Sequence, residues 1–250
     1  MSGHSRWAGI KHKKGLIDAK RGKTFTKIGR EITIAAKIAG GAPESNPRLR
    51  KAMEDARAVN MPSDNIKKAI QRGTGELPGV NYEELVYEGY GPSGVAVMVE
   101  VTTDNKNRTV GEIRRFFTVH GGNLGETGAV GWVFENKGLI TVEKSKSSED
   151  QLMTVALDAG ADDLKTEDPD VFEITTPPAE FEKVKKALEE QKIELASAEV
   201  TLIPKTTVKL TGEAANQMMK LMNDLEDHDD VKNIHANFDI PKEILEAGAK

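Results

Sequence analysis

The 250-residue chain contains no cysteine. Disulfides, thiolate zinc sites and thiol nucleophiles are therefore excluded, and a reducing compartment is the expected location. The chain has no apolar run of roughly 18 residues, the length that a membrane-spanning helix needs, and no apolar segment follows the first positive charges as it would in a signal peptide. We expect a cytoplasmic protein that does not contact a membrane.

Signs of catalysis are scarce as well. The five histidines show no ligand spacing, and neither a G-x-S-x-G elbow nor a G-x-x-x-x-G-K-[ST] loop is present. The acidic clusters at 167–170 and 226–230 lie where solvated turns are expected, and we interpret them as turns and not as cation sites. We therefore predict no catalytic residue, no metal, no cofactor and no enzymatic activity.

Charge is distributed unevenly along the chain. The net charge of −5 conceals a segment, residues 1–75, with 17 Lys and Arg against 6 Asp and Glu, a net charge of +11. The remaining residues carry 18 basic and 34 acidic side chains, a net charge of −16. A basic module attached to an acidic body is typical of a protein that binds a polyanion such as nucleic acid.

The basic segment has helical periodicity. Apolar residues recur every three or four positions from Phe25 to Ala39, and Gly40, Gly41 and Pro43 end this helix. A second helix begins near Pro47, and a third begins near Pro62 and is expected to end at Gly73. Helix breakers at 73–79 coincide with the reversal of charge, so we assign a basic three-helix domain to residues 1–78.

Beyond residue 78 the pattern changes to strands and helices in alternation. Four β-α-β units are predicted, and they would form two split β-α-β domains of the ferredoxin-like kind. Their strands and helices are expected at 95–101, 108–120 and 129–134; at 139–142, 150–159 and 162–165; at 171–175, 179–191 and 194–203; and at 206–210, 214–227 and 231–238.

The pattern leaves the pairing of these units open, since the first could join either the second or the fourth. Short joints at 135–138 and 203–205 could lie side by side and favour an insertion. We therefore predict an α/β (α+β) protein with a middle ferredoxin-like domain, residues 79–134 plus 205–250, and an inserted ferredoxin-like domain, residues 135–204.

The strongest candidate site is a basic stripe in the first domain. Lys23, Lys27 and Arg30 share one helix face, near Trp7 and two imidazoles that can stack or hydrogen-bond. Such a stripe suits phosphate neutralisation, although a solvated helix with ordinary lysines is the alternative. The predicted nucleic-acid-binding residues are Trp7, Lys11, His12, Lys13, Lys14, Lys20, Arg21, Lys23, Lys27 and Arg30.

Three further segments favour a structural role. Gly89–Gly94 matches G-x-G-x-x-G but precedes a β-patterned run, so a turn between strands is predicted instead of a dinucleotide site. Glycines between Gly122 and Gly131 indicate a long turn leading into a strand. Thr103–Thr109 has the composition of a helix cap, with partner contact as the alternative.

Several long motifs resemble the YebC family, whose mitochondrial relatives include the translational activator of cytochrome c oxidase. The resemblance covers essentially the whole chain. It rests on the segments Gly3–Ala8 with Ile10–Lys14, Asp18–Lys23, Phe25–Lys27, Asn46–Arg50, Asn60–Ile66, Tyr87–Pro92, Thr103–Thr109 and Gly121–Gly125.

This resemblance implies three domains, with the third inserted into the second. It also implies a cytoplasmic regulator of gene expression, either a DNA-binding transcriptional regulator or a factor that binds ribosomal RNA and acts on stalled ribosomes. The acidic domains would engage a protein partner or restrain nucleic-acid binding. Two rivals from the residues alone are an enzyme with a pocket between the Tyr87–Gly94 turn and the Thr103–Thr109 loop, and a purely structural interaction module.

Overall fold

A computed structural model describes residues 18–241 and residue 244. The first domain contains helices α1 (Asp18–Ala39), α2 (Pro47–Ala58) and α3 (Ser63–Thr74). The apolar faces of α2 and α3 pack on α1, and the buried core consists of Ile32, Ala35, Leu49, Ala52, Ala56, Met61, Ile66 and Ala69. The predicted three-helix arrangement is therefore confirmed.

The turn between α1 and α2 is fixed by Asn46. Its side-chain oxygen accepts a hydrogen bond from the Leu49 backbone N–H, which caps α2, and its amide donates to the carbonyls of Ala35 and Gly40 at 2.8 Å each. One buried amide thus satisfies groups at the end of α1 and at the start of α2.

The prediction that Gly73 ends the third helix is wrong, because α3 continues to Thr74 and the left-handed residue that follows it is Gly75 (φ 85°). Gly73 serves helix packing instead. A Cβ at this position would lie 2.4 Å from the Thr33 carbonyl oxygen and 2.7 Å from the Ala36 Cβ. The close approach of α1 and α3 therefore requires a residue without a side chain.

The second domain has a four-stranded sheet of β1 (Glu83–Tyr90), β2 (Ala96–Thr103), β3 (Asn123–Leu124) and β9 (Val231–Ala236), in the order β3-β1-β2-β9. All neighbours are antiparallel. Helices α4 (Lys106–Val119) and α7 (Gly212–Asp227) pack on it and bury a core that includes Val97, Val99, Ile113, Phe117, Met218, Leu221 and Leu225. The unit β2-α4-β3 encloses β1, which is the split β-α-β arrangement.

The strand predicted at 129–134 is wrong. The returning strand is β3, only two residues long, and a single-turn 3-10 helix occupies Gly131–Val133. Val130 and Val133 are buried against Ala96, so the apolar residues of this segment pack onto the sheet without entering its hydrogen-bonded ladder. Burial of a loop produced a pattern that resembles a strand.

The strand predicted at 206–210 also lies outside the sheet. It contains β8 (Val208–Lys209), which pairs in parallel with β10 (Phe238–Asp239). The position in the sheet that this strand would fill belongs to β1, which comes before β2 in the chain. The turn predicted at Gly89–Gly94 is confirmed, since a 3-10 turn at Pro92–Gly94 joins β1 to β2.

The third domain is inserted between β3 and β8. It consists of β4 (Phe134–Glu143), α5 (Glu149–Ala159), β5 (Asp163–Lys165), β6 (Val171–Thr176), α6 (Phe181–Glu190) and β7 (Ser197–Pro204), with strand order β5-β6-β4-β7. Its separate core includes Ile140, Val142, Leu152, Ala156, Phe172, Ile174, Val184 and Leu188. Two interlocked β-α-β units form a ferredoxin-like sheet.

The joints of the insertion lie side by side, because β4 pairs with β7 from Phe134 opposite Pro204 to Thr141 opposite Ser197. The predicted fold class, a helical domain followed by two ferredoxin-like domains with one inserted in the other, is thus confirmed. The limits at residues 78, 134 and 204 stay a prediction. None of the helices in the described ranges is long and apolar enough to cross a membrane.

Candidate nucleic-acid interface

The structure describes only part of the predicted basic stripe. Trp7, Lys11, His12, Lys13 and Lys14 lie outside the described residues. Lys20 and Arg21 belong to the first turns of α1, where the structure describes the backbone but not their side chains.

The other three members of the stripe, Lys23, Lys27 and Arg30, follow one another along α1 at helical spacing, and all three contact the acidic second domain. The Lys23 ammonium donates to the Asp227 carbonyl at 2.9 Å, and the Lys27 ammonium donates to the Glu226 carbonyl at 2.7 Å. These carbonyls end helix α7, where backbone oxygens lack intrahelical partners and the helix dipole is negative. Burial lowers the pKa of Lys27, although the carboxylates of α7 oppose that shift.

Arg30 makes the deepest contact of the three. Its guanidinium donates to the Asp229 carbonyl at 2.7 Å and to Asp230 Oδ1 at 2.6 Å, and it lies over the Tyr82 ring at 5.5 Å. The side chain of Arg30 is 15% exposed and that of Asp230 is 2% exposed. This ion pair is therefore the buried part of the contact between the first two domains.

The second carboxylate oxygen of Asp230 also accepts several hydrogen bonds. Oδ2 lies 2.6 Å from the Thr109 hydroxyl, 2.8 Å from an Arg108 guanidinium nitrogen and 3.0 Å from the Thr103 hydroxyl. Burial alone would raise the pKa of Asp230, but these hydrogen bonds and that of Arg30 outweigh burial and hold the pKa well below its ordinary value. Asp230 is consequently ionised at neutral pH.

The segment Thr103–Thr109 therefore has two structural tasks. Capping is confirmed, because the Asn105 side chain accepts from the Arg108 backbone N–H at 3.1 Å at the start of α4. The same segment also supplies three of the groups around Asp230. Sequence reasoning does not single out Asp230. The only available signal was the density of hydroxyl and guanidinium groups in this segment, which indicates a buried anion without showing where that anion comes from.

A second polar junction lies beside the first. The Arg48 guanidinium lies 2.7 Å from Glu31 and 2.6 Å from Glu84, and the Lys232 ammonium lies 2.9 Å from Glu31. The hydrogen bonds that Arg48 donates to Glu31 and Glu84 raise the pKa of Arg48. Burial would raise the pKa of Glu31, but hydrogen bonds from Arg48 and Lys232 lower it overall. Alternating charges from α1, α2, β1 and β9 thus join the two domains.

Other cations of the helical domain remain on its surface. Five of them are exposed and form no ion pair with another described residue: Arg50, Arg57, Lys67, Lys68 and Arg72. Arg48, in contrast, is paired within the protein, so only some of the sequence-derived positive charge is open to a partner.

The glycine-rich segment after β3 is a turn held by a buried carboxylate. Glu88, which is 7% exposed, accepts hydrogen bonds from the backbone N–H groups of Gly128, Val130 and Gly131 at 2.7 to 2.8 Å. Burial would raise the pKa of Glu88, but these three hydrogen bonds lower it. Trp132 projects from this fixed turn and is 70% exposed, while its indole N–H donates to the Ala129 carbonyl.

The acidic residues 226–230, interpreted above as a solvated turn, instead receive the cations of α1. Among the described residues no cluster of three or more His, Asp or Glu side chains has the geometry to hold a metal ion. The arrangement offers binding by charge and hydrogen bonding, with part of the basic surface already engaged by the protein's own acidic groups.

These features define a three-domain α/β protein in which a basic helical domain is docked on an acidic ferredoxin-like domain that carries a second one as an insertion. The model of the TACO1/YebC N-terminal domain matches residues 5–76, and the model of the TACO1/YebC second and third domain matches residues 82–238. The chain belongs to the TACO1/YebC family.

Similar full-length proteins carry the name "Probable transcriptional regulatory protein". One from Endomicrobium trichonymphae is 60% identical over 247 residues, with 98% of each chain covered. One from Dictyoglomus turgidum is 59% identical over 248 residues, with 99% of each covered. Among solved structures, the conserved hypothetical protein Aq1575 from Aquifex aeolicus is 48% identical, with a TM-score of 0.79 and coverage of 92% of this chain and 95% of that one.

Proposed function

We propose that this chain is a non-enzymatic regulator of gene expression that binds nucleic acid through its N-terminal helical domain, with duplex DNA as the main target. The observation that carries the proposal is the charge distribution, +11 in residues 1–75 against −16 in the remainder. A field of this size on one domain attracts a polyanion while the rest of the protein repels it.

Exposed cations on α2 and α3 support this attraction. Arg50, Arg57, Lys67, Lys68 and Arg72 keep their charge exposed on α2 and α3, and the proposed binding residues Lys11, Lys13, Lys14, Lys20 and Arg21 precede or begin α1. The sequence offers no evident set of Arg, Asn or Gln side chains on one groove-sized face for reading base edges. Contacts to phosphate that hold the protein in place are therefore the proposed mode of binding.

The relatives' names support a role in transcription. Binding without chemistry is consistent with those regulatory names, and the cytoplasmic location expected from the sequence belongs to the same proposal. The acidic second and third domains are proposed to contact a protein partner or to restrain nucleic-acid binding.

A salt titration tests this function. Affinities of the full chain for duplex DNA, transfer RNA and ribosomal particles are measured by fluorescence anisotropy or sedimentation at increasing salt. If five to seven phosphates are neutralised, log affinity for duplex DNA should fall with log salt at a slope of roughly −4 to −6. Tight binding to ribosomal particles alone would move the protein from transcription to translation.

A charge-reversal variant tests the binding residues. Lys13→Glu with Lys14→Glu should weaken binding to every sequence and reduce the salt slope by about 1 to 2. The matched control is Lys183→Glu with Lys186→Glu on α6, two exposed lysines of the inserted domain. Equal affinities of the two variants would exclude the stripe as the nucleic-acid-binding surface. If the wild-type chain bound none of the nucleic acids, the proposed function would be overturned.

A further inference from the structure

Lys23, Lys27 and Arg30 of the basic stripe contact the acidic turn at the C-terminal end of α7. This contact affects how nucleic acid can bind the stripe. We propose that the C-terminal end of α7, residues 226–230, is an internal phosphate mimic that competes with nucleic acid for Lys23 and Lys27. Arg30 remains paired and holds the domain in place. The inference rests on the proposed function and concerns the regulation of the same surface.

The acceptors at this contact resemble a phosphate backbone chemically. Lys23, Lys27 and Arg30 each donate to a backbone carbonyl oxygen of the turn at 2.7 to 2.9 Å. The carboxylates of the same turn surround these oxygens with negative charge, and those of residues 226, 227 and 229 act on Lys27. A row of oxygen acceptors within a negative field is also what a nucleic-acid strand presents to lysines on one helix face.

The strength of the contact is graded along α1. At the outer end, the side chains of Lys23 and Asp227 are 47% and 60% exposed, and the ammonium lies 4.0 Å from the carboxylate. At the inner end, Arg30 and Asp230 are nearly buried and lie 2.6 Å apart. Exposed ion pairs contribute little because water and salt screen them, whereas removing one partner of a buried pair leaves a charge without compensation. The Lys27 contact, part-buried and 2.7 Å long, is intermediate, so Lys23 exchanges most readily and Lys27 next while the inner pair persists.

The contacts of Lys23 and Lys27 lie next to the proposed phosphate-binding residues on α1. Lys20 lies one turn before Lys23 on α1, so the proposed phosphate-binding residues continue directly into the contact. A strand bound along the first turns of α1 can extend its contacts to Lys23 and Lys27 only by displacing the end of α7. Contact with the end of α7 thus removes Lys23 and Lys27 from the binding surface, and displacement of that end makes both cations available again.

A zero-length cross-link tests the competition in the native chain. A carbodiimide joins an amine to a carboxylate that it contacts, so Lys23 and Asp227 should be coupled in the protein alone. The pair Lys137 and Asp162, 2.7 Å apart in the inserted domain, is the internal control. With saturating short duplex DNA that lacks terminal phosphates, we expect the Lys23–Asp227 product to fall by about threefold or more while the Lys137–Asp162 product is unchanged.

A pair of charge-neutral variants supplies an independent measurement. Asp227→Asn with Asp229→Asn removes charge from the turn, and Asp158→Asn with Asp163→Asn removes the same charge from exposed sites of the inserted domain. The first variant should bind duplex about three- to tenfold more tightly than the second, because the competing contact is weakened.

The results separate this inference from the proposed function. Undiminished Lys23–Asp227 coupling in a protein that anisotropy shows to be bound, or equal affinities of the two double variants, would overturn the competition and leave nucleic-acid binding intact. Absence of duplex binding by wild type and both variants would overturn both proposals.

Discussion

The carboxylate of Asp230 and the guanidinium of Arg30 lie 2.6 Å apart across the junction of the helical domain and the first sheet. Asp230 also receives hydrogen bonds from β2 and α4, so one ionised side chain connects three elements. The two domains therefore share a buried polar centre as well as surface ion pairs.

Asp230→Asn tests how much this buried polar centre contributes to the free energy of unfolding. The substitution leaves Arg30 charged and nearly buried without its anion, and we expect a loss of about 3 kcal/mol in the free energy of unfolding. Urea unfolding followed by circular dichroism measures the change. Asp229→Asn, an exposed neighbour, should change stability by less than about 0.5 kcal/mol. Similar effects of the two substitutions would show that the centre contributes no more than the surface.

Acid sensitivity should follow from the same residue. Because the folded-state pKa of Asp230 lies below its ordinary value of about 3.9, the unfolded chain binds the proton first as pH falls. The stabilisation is complete above that ordinary value and is lost as pH falls through the folded-state pKa. Urea midpoints between pH 7 and pH 3 should therefore decline less steeply for Asp230→Asn than for wild type, and parallel curves would contradict the assignment.

Gly73 gives a prediction about packing. Gly73→Ala should destabilise the protein by about 1 to 3 kcal/mol, since the new methyl group would overlap backbone and side-chain atoms of α1. Gly111→Ala in α4 is the matched control, because nothing lies within 4 Å of the added Cβ. That control should gain about 0.5 to 1 kcal/mol from helix propensity alone. Thermal unfolding of both variants measures the difference in their stability. Equal stability of the two variants would show that α1 and α3 can move apart without a loss of free energy.

Glu88 gives a prediction about the turn that carries Trp132. Glu88→Gln retains one acceptor oxygen but turns an amide donor toward backbone N–H groups, so we expect a loss of about 1 to 3 kcal/mol. Hydrogen exchange should quicken at Gly128, Val130 and Gly131. Glu126→Gln, an exposed residue in the same turn, should leave their exchange unaltered. Unchanged protection in Glu88→Gln would mean that the turn is held by its apolar residues alone.

Much of the architecture could be predicted from periodicity. The three described helices of the first domain appear in the spacing of apolar residues because one face of each must be buried. Gly73 and the 129–134 segment show where this reasoning ends. A glycine that allows two helices to touch has the same local signature as one that ends a helix, and a buried loop can show the same apolar residues as a strand. Only the tertiary neighbours distinguish them.

The candidate site was predictable in charge and not in connectivity. Counting charges locates a basic domain, but it cannot show that Lys23, Lys27 and Arg30 meet residues about 200 positions later in the chain. The acidic turn and the basic stripe are each recognisable alone. Their contact depends on how α7 ends beside α1, which no local pattern specifies.

The pairing of β4 with β7 also constrains the order in which the domains fold during synthesis. All strands of the inserted sheet have left the ribosome once Pro204 is free, whereas the host sheet still lacks β9, which begins at Val231. Residues 83–124 therefore remain without β9, and the β2 edge of their sheet stays unpaired during this time. The complete inserted domain can form before β9 is synthesised. The docking of α1 likewise requires residues 226–230, so α1 is made before the other described elements and is among the last of them to find its partner.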